Sequence, residues 1–491
     1  MIALGATVMA ASTAAAYLCS PRKGLAVLLF FLAFVPFATL DPTQGGLVEA
    51  GAMTSGGNAV WKLATRALGM AGVAALAAAR ARDVAAVLVR PASLPILFFI
   101  AWATLGLPRA SDPWVAFFRL GELFTFFLAG TVLYVEVTSR RSAHEAGRVH
   151  ALALVAPLVC AVVFAHAFPE IAFHESSGGI RRMGHKFMNS NVLGFCAAAA
   201  GLWATYVLRA PLVLARAEDR PARGERLLAV LVLALSLYVL YHARSRTAAL
   251  TAALGQAMLW FPWPHALAAP GADGRRARSA ALGALGLVAC VLALGWGSAV
   301  EWFLRGADAA DVASGTGRTG LWRDLLAVRV PEAPMLGSGY LNLGPEGTFE
   351  HAGHRWNNAH NTYLFALVST GLPGLASVVL IVALPLWGAW RSMGRGEARE
   401  RHAFTLVFAL QCVVAAASVT GFGVSGYPNV AMLFHYGLYA LSTASLGAAE
   451  PSARSSRPAA LFPSEPAPDA LRPRPFRVPG ERPRPLETPL R

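Results

Sequence analysis

Apolar stretches, mostly of about 17 to 24 residues, recur along nearly the whole chain. Each is long enough to cross about 30 Å of hydrocarbon as a helix. Thirteen such stretches run approximately over residues 2–19, 24–40, 60–79, 92–107, 114–137, 149–167, 191–209, 227–241, 246–263, 280–303, 362–390, 403–420 and 430–447. Backbone groups in lipid must pair within the protein, so the chain is expected to form an all-α, polytopic membrane bundle and not an open sheet. Composition agrees: 14% of the 491 residues are charged, against about a quarter in soluble domains.

The distribution of basic residues orients the bundle. Alternate linkers, 20–23, 80–91, 138–148, 209–226, 264–279, 391–402 and the tail after 447, hold 28 of the 42 Lys and Arg residues. The positive-inside bias puts that set in the cytoplasm and 41–59, 108–113, 168–190, 242–245, 304–361 and 421–429 outside. The short, Ala-rich first 40 residues leave the count at about twelve spans, with thirteen as the alternative. Met1–Leu18 lacks a basic leader and a cleavage site and reads as a retained membrane helix. Residues 1–447 thus form the bundle, including outward segments 168–190 and 304–361. Residues 448–491 read as a disordered, Pro- and Arg-rich cytoplasmic tail. The formal charge of +15 is placed to meet lipid head groups, and no nucleic-acid partner is expected. All five cysteines fall in apolar segments, which argues against a disulfide framework.

The polar residues that need explaining lie on the outward side. Arg181, Arg182, His185 and Lys186 gather just before a span, against the positive-inside trend, and suggest an anionic ligand, with lipid phosphates as the plainer reading. Arg244 and Arg246 flank Ser245 in a connection with almost no loop, where a guanidinium can grip a phosphate or simply snorkel. The longest outward segment carries Gly315-Thr-Gly-Arg-Thr-Gly-Leu-Trp322, Leu336-Gly-Ser-Gly-Tyr340 and His354-Arg-Trp-Asn-Asn-Ala-His-Asn-Thr-Tyr363. Its glycines lack the strand and the Gly-Lys ending of a nucleotide loop, and its His and Trp residues suggest a sugar-handling surface.

Spans beginning near Asn191, Arg246 and Thr362 all enter from outside, so their N-termini, which favour anions, point to one face. His360 stands just before the last of them, followed by Asn361. Nearby Arg and a helix start disfavour imidazolium there, which suits either a base or a loop anchor. Arg119 and Glu122, one turn apart inside a span, read as a structural ion pair with a substrate contact as the alternative.

Arg182-Met-Gly-His-Lys-Phe-Met-Asn-Ser-Asn191, Ser245-Arg246-Thr247, Arg318-Thr-Gly-Leu-Trp322, Gly337-Ser-Gly-Tyr340, Ala359-His-Asn-Thr-Tyr-Leu364 and Gly371-Leu-Pro-Gly374 together resemble the O-antigen ligase and polymerase superfamily, over roughly residues 90 to 447. The resemblance implies a membrane-embedded, inverting glycosyltransferase that needs no metal and no cofactor. It implies transfer of a glycan from undecaprenyl diphosphate to lipid A-core at the periplasmic face of the bacterial inner membrane. It carries catalytic roles onto Arg182, Arg246 and His360, and donor or acceptor contacts are expected from Lys186, Arg181, Arg244, Arg318, Asn361 and Asn191. The chain has no Asp-x-Asp motif, and Asp308 and Asp311 stand three apart, so positive side chains are expected to stabilise the leaving diphosphate. His185, His351 and His354 are left without a role. An O-antigen polymerase or a protein O-oligosaccharyltransferase would share the donor site. A polyprenyl-glycan transporter or flippase would instead place ionisable residues at mid-bilayer in paired halves, and no internal repeat of that kind is visible.

Overall fold

The computed structural model describes residues 57–138, 143–176, 180–184, 190–214, 217–260, 300–302, 318–344, 346–356, 358–395, 397–420 and 430–446. The expected spans at 2–19 and 24–40, most of the one at 280–303, residues His185, Lys186, Asp308 and Asp311, and the tail 448–491 lie outside them.

The long elements are helices: α1 (Gly57–Ala79), α2 (Ala81–Leu88), α3 (Leu94–Leu105), α4 (Pro113–Thr138), α5 (Ala143–Ala167), α6 (Ser190–Val213), α7 (Arg223–Ala243) and α8 (Arg246–Trp260). After α9 (Arg318–Asp324) come α10 (Thr362–Ser392), α11 (Ala398–Thr420) and α12 (Val430–Thr443). Among the described residues five helices, α4, α6, α7, α10 and α11, are long and apolar enough to cross a membrane. The span expected at 92–107 is one arm of a bent pair, whose other arm lies in the expected linker 80–91. Residues Ala81–Leu88 and Pro91–Leu105 meet at 75°, because Pro91 offers no N–H to continue a helix and holds Arg90 in an extended conformation. The outward segments, expected as loops, contain two small antiparallel hairpins, β1 (Phe173–Ser176) with β2 (Ile180–Met183) and β3 (Phe349–His351) with β4 (His354–Trp356).

The bundle is organised around α6, which packs against α5, α7, α8, α11 and α12. Its run Cys196-Ala-Ala-Ala-Ala-Gly201 is buried throughout, and small side chains are what allow backbones to approach closely where lipid gives no hydrophobic drive. At Gly194 a Cβ would lie 2.8 Å from the Ala248 Cβ and 3.0 Å from the Ser245 Cβ, and at Gly255 it would meet Leu202. Contacts 194 with 248 and 202 with 255 advance together along both helices, so α6 and α8 run parallel with their starts side by side. His402 reaches the carbonyl of Tyr206 while Val413 meets Gly255, so α11 runs the opposite way. The tight connection from α10 into α11 returns α10 to the direction of α6 and α8. The outer face of α7, with Leu227, Leu231 and Leu237 each about 60% exposed, is what a surface solvated by lipid requires. The pair Arg119–Glu122 is a buried 2.7 Å ion pair within α4.

One break is essential to the outward end. α10 contains Gly371 at φ 71°, ψ −171°, a conformation open to glycine alone. The loop around Ala333–Gly339 docks into that break. Ser338 and Gly339 donate their N–H groups to the carbonyls of Val368 and Ser369 at 2.8 and 3.1 Å, and Leu372 N–H donates to Pro334 O at 2.8 Å. Trp102 Nε1 donates to the Thr370 carbonyl at 2.9 Å. A Cβ at Gly371 would collide with the carbonyl of Met335. Gly371→Ala should therefore destabilise the protein by about 2 kcal/mol or more, read as a lower unfolding midpoint in detergent. A midpoint equal to that of the wild type would show that the break is not required.

Candidate functional site

Expected site residues form two clusters, both on the side that the sequence reading puts outward. The first is built on the parallel starts of α6 and α8. Arg182, on β2, donates from Nε to the Ala243 carbonyl at 3.2 Å and from Nη2 to Asn191 Oδ1 at 3.3 Å. Ser245 donates to the same Asn191 oxygen at 2.8 Å and, through its own Oγ, accepts the Ala248 N–H at 3.3 Å, capping α8. Arg244 turns the chain between α7 and α8 in the left-handed conformation, φ 46°, so Arg246 opens α8 directly beside Asn191 and Arg182. Burial, and then the like charge of Arg246, pull the Arg182 guanidinium down to about 10. Two cations held this close favour an anion between or above them.

Strand alternation separates the two adjacent arginines. Arg182 faces the helix ends, whereas Arg181 is exposed and lies over the Phe173 ring at 5.3 Å. Phe173 also meets His242 of α7 edge-on, which docks the hairpin onto the bundle.

The second cluster stands at the start of α10. Asn361 caps that helix, its Oδ1 accepting the Leu364 N–H at 3.0 Å. His360 precedes the cap at φ 50°, and its N–H donates to Asn358 Oδ1 at 2.8 Å. Trp322, on α9, donates from Nε1 to the carbonyl of Ala359 at 2.7 Å, and Trp356 sits edge-on to the His360 ring at 5.7 Å. Arg318 opens α9, and burial lowers its pKa from the usual guanidinium value. Burial first, and the Arg318 charge second, pull the His360 imidazole down to about 4. The ring is therefore neutral at physiological pH, with a nitrogen lone pair available.

Sequence reasoning placed the three helix starts within a residue of where they lie. It quoted Asn358 and Trp322 within motifs without giving them the role of fixing the His360 backbone, and it missed the pair formed by His351 Nδ1 and Asp324 Oδ2 at 2.8 Å. Nothing in a spacing of 27 residues announces such a pair. The Gly-Ser-Gly-Tyr and Gly-Leu-Pro-Gly motifs are explained by the docking of the 333–339 loop into the α10 break.

Residues 230–379 match the family described as O-antigen ligase. Over that segment the chain is similar to the O-antigen ligase family. The match holds Ser245–Thr247, Arg318–Trp322, Gly337–Tyr340, His360 and Gly371–Gly374, while Arg182 and Asn191 precede it. It covers under a third of the 491 residues. No curated protein matches the chain. The partial match and the five long apolar helices together support a helical membrane protein that resembles the ligase and polymerase type.

The shift at His360 has a definite sign. Because the folded ring stays neutral below its ordinary value of about 6.5, whatever stability this neutrality confers is present above about pH 6.5. It is lost as pH falls toward about 4. Arg318→Gln should raise the His360 midpoint, followed by a pH titration of its ¹⁵N-labelled imidazole. An unchanged midpoint would assign the whole effect to burial.

Proposed function

We propose that this protein transfers a glycan from undecaprenyl diphosphate to a hydroxyl of lipid A-core, with inversion at the anomeric carbon and without a metal ion. The reading rests on one observation above all: Arg182 and Arg246, on separate elements, are held side by side at the parallel starts of α6 and α8. Negative charge grows on the diphosphate as the glycosidic bond breaks, and preformed cations with helix N-termini stabilise it at that moment. Lys186, outside the described residues, follows Arg182 closely enough in sequence to join them.

The acceptor needs a base where its oxygen approaches. His360 takes the hydroxyl proton as that oxygen bonds to the anomeric carbon. A neutral ring at physiological pH, fixed at the start of α10 by Asn358, Trp322 and Trp356, suits that step. Burial, with the Arg318 charge second, holds the ring neutral before substrate binds. Arg244 and Asn191 shape the donor pocket, and Asn361 shapes the acceptor side as the cap of α10. In this reading the site faces the periplasm, the chain lies in the bacterial inner membrane, and the tail after 447 is cytoplasmic.

The test uses purified protein, lipid-linked glycan and lipid A-core, with released undecaprenyl diphosphate and glycosylated lipid A-core as readouts. Arg246→Ala and His360→Ala should each lower transfer by about 10² to 10⁴-fold with protein levels in the membrane unchanged. Arg246→Lys should recover only part, since an ammonium cannot bind a phosphate through two parallel bonds. Near-normal transfer by His360→Ala would reject the base assignment. Longer lipid-linked chains formed when lipid A-core is omitted would identify a polymerase.

A further inference from the structure

We propose that residues 326–336 form a membrane-surface anchor, in which Leu326, Val328, Met335 and Leu336 insert among the acyl chains of the leaflet on the His360 side of the bilayer. The inference stands apart from the transferase reading and needs only that the long apolar helices span a membrane.

The stretch reads Leu-Ala-Val-Arg-Val-Pro-Glu-Ala-Pro-Met-Leu, with two charges in eleven residues. It continues α9 through the helical turns Leu325–Arg329 and Val330–Glu332 and ends in the loop that docks on α10. Leu325 and Gly337 are buried at its two ends. Between them four large apolar side chains, Leu326, Val328, Met335 and Leu336, are from 36% to 54% exposed. Single exposed apolar side chains are ordinary, whereas a run of them marks a surface that meets something apolar.

The two charges do not oppose insertion. Arg329 Nη1 donates to Glu332 Oε2 at 2.8 Å, one turn away, so the stretch carries no net charge. The Arg329 guanidinium also lies over the Phe349 ring at 5.4 Å, which draws it back toward the β3–β4 hairpin.

Depth selects lipid as the occupant. Beyond the break at Gly371, α10 runs from Leu372 to Trp390 without a charged residue and reaches Arg391 only then. Those 19 residues cover about 28 Å as a helix, close to the thickness of bilayer hydrocarbon. The break therefore lies at the edge of the hydrocarbon, and the Trp102 indole bonded to the Thr370 carbonyl sits at the level where indoles favour the interface. The stretch is bonded to that same level, since Leu372 N–H donates to Pro334 O at 2.8 Å. On the neighbouring helix, a Cβ on Gly106, the residue after α3, would lie 3.9 Å from the Leu336 carbonyl. Met335 and Leu336 are thus continuous with the exposed Leu372 and Leu105 at the ends of two membrane helices. An apolar face at this depth sinks about 5 to 10 Å past the head groups.

The anchor bears on the site through α9. Trp322 Nε1, four residues before Leu326, donates to the Ala359 carbonyl at 2.7 Å. One rod therefore ties the backbone next to His360 to a fixed height above the bilayer.

Two measurements test the anchor on the full-length protein in nanodiscs of phosphatidylethanolamine and phosphatidylglycerol. A benzophenone amino acid at position 326 or 335 should, on irradiation, give lipid adducts within about twofold of the yield at position 237, on the lipid-facing side of α7. The yield should be about fivefold or more above that at position 350, where Glu350 of β3 is exposed. Lipid adducts no more abundant than at 350, or crosslinks to a second copy or to another part of the chain in their place, overturn the inference. The second measurement needs no altered side chain. With ¹³C-labelled methionine methyl groups, and the Met335 signal identified by its loss in Met335→Leu, a lipid carrying a nitroxide near the top of its acyl chain should broaden that signal more than a water-soluble gadolinium chelate does. Broadening by the chelate that equals or exceeds that by the lipid overturns the anchor.

Discussion

Holding two guanidinium groups together is unfavourable in itself, and the shared end of α6 and α8 is arranged to make it possible. Arg182 and Arg246 come from different elements, and their proximity depends on the starts of α6 and α8 lying flush. That registry depends in turn on Gly194, where any side chain would press against Ser245 and Ala248. Asn191 then ties the strand-borne arginine to the helix-borne serine with a single oxygen. The electrostatic strain is met by packing deep in the bundle, through the small-residue run of α6.

The imidazole side is built by a different principle. His360 lies in a segment that no regular element holds, and its position comes from indole and amide groups around it: Trp322, Trp356 and Asn358. The cationic cluster thus stands on helix ends and the neutral ring on a braced loop, and in the proposed transfer these two would serve the leaving diphosphate and the incoming hydroxyl respectively.

Hydrophobic length and the placement of Arg made most helices legible, because each span must satisfy its own backbone. The starts at Ser190, Arg246 and Thr362 followed from polar residues ending apolar runs. The bend between α2 and α3 falls at the end of the stretch 80–91 read as an Arg-rich linker, whose basic residues hid the short helix α2. The hairpins were hidden because pairs such as His174 with Arg182 depend on tertiary docking against α7, and four-residue strands carry almost no periodicity. Arg182 and Arg181 could not be told apart until a strand put them on opposite faces. The Asp324–His351 pair joins positions that only the packing of a hairpin over a short helix brings together.

The interruption at Gly371 has a mechanical consequence. Val368 O, Ser369 O and Leu372 N find their partners in the 333–339 strap, not in their own helix. Peeling the strap away would strand three main-chain groups in a nonpolar setting, at roughly 1 to 3 kcal/mol apiece. Strap and helix must consequently travel as one piece.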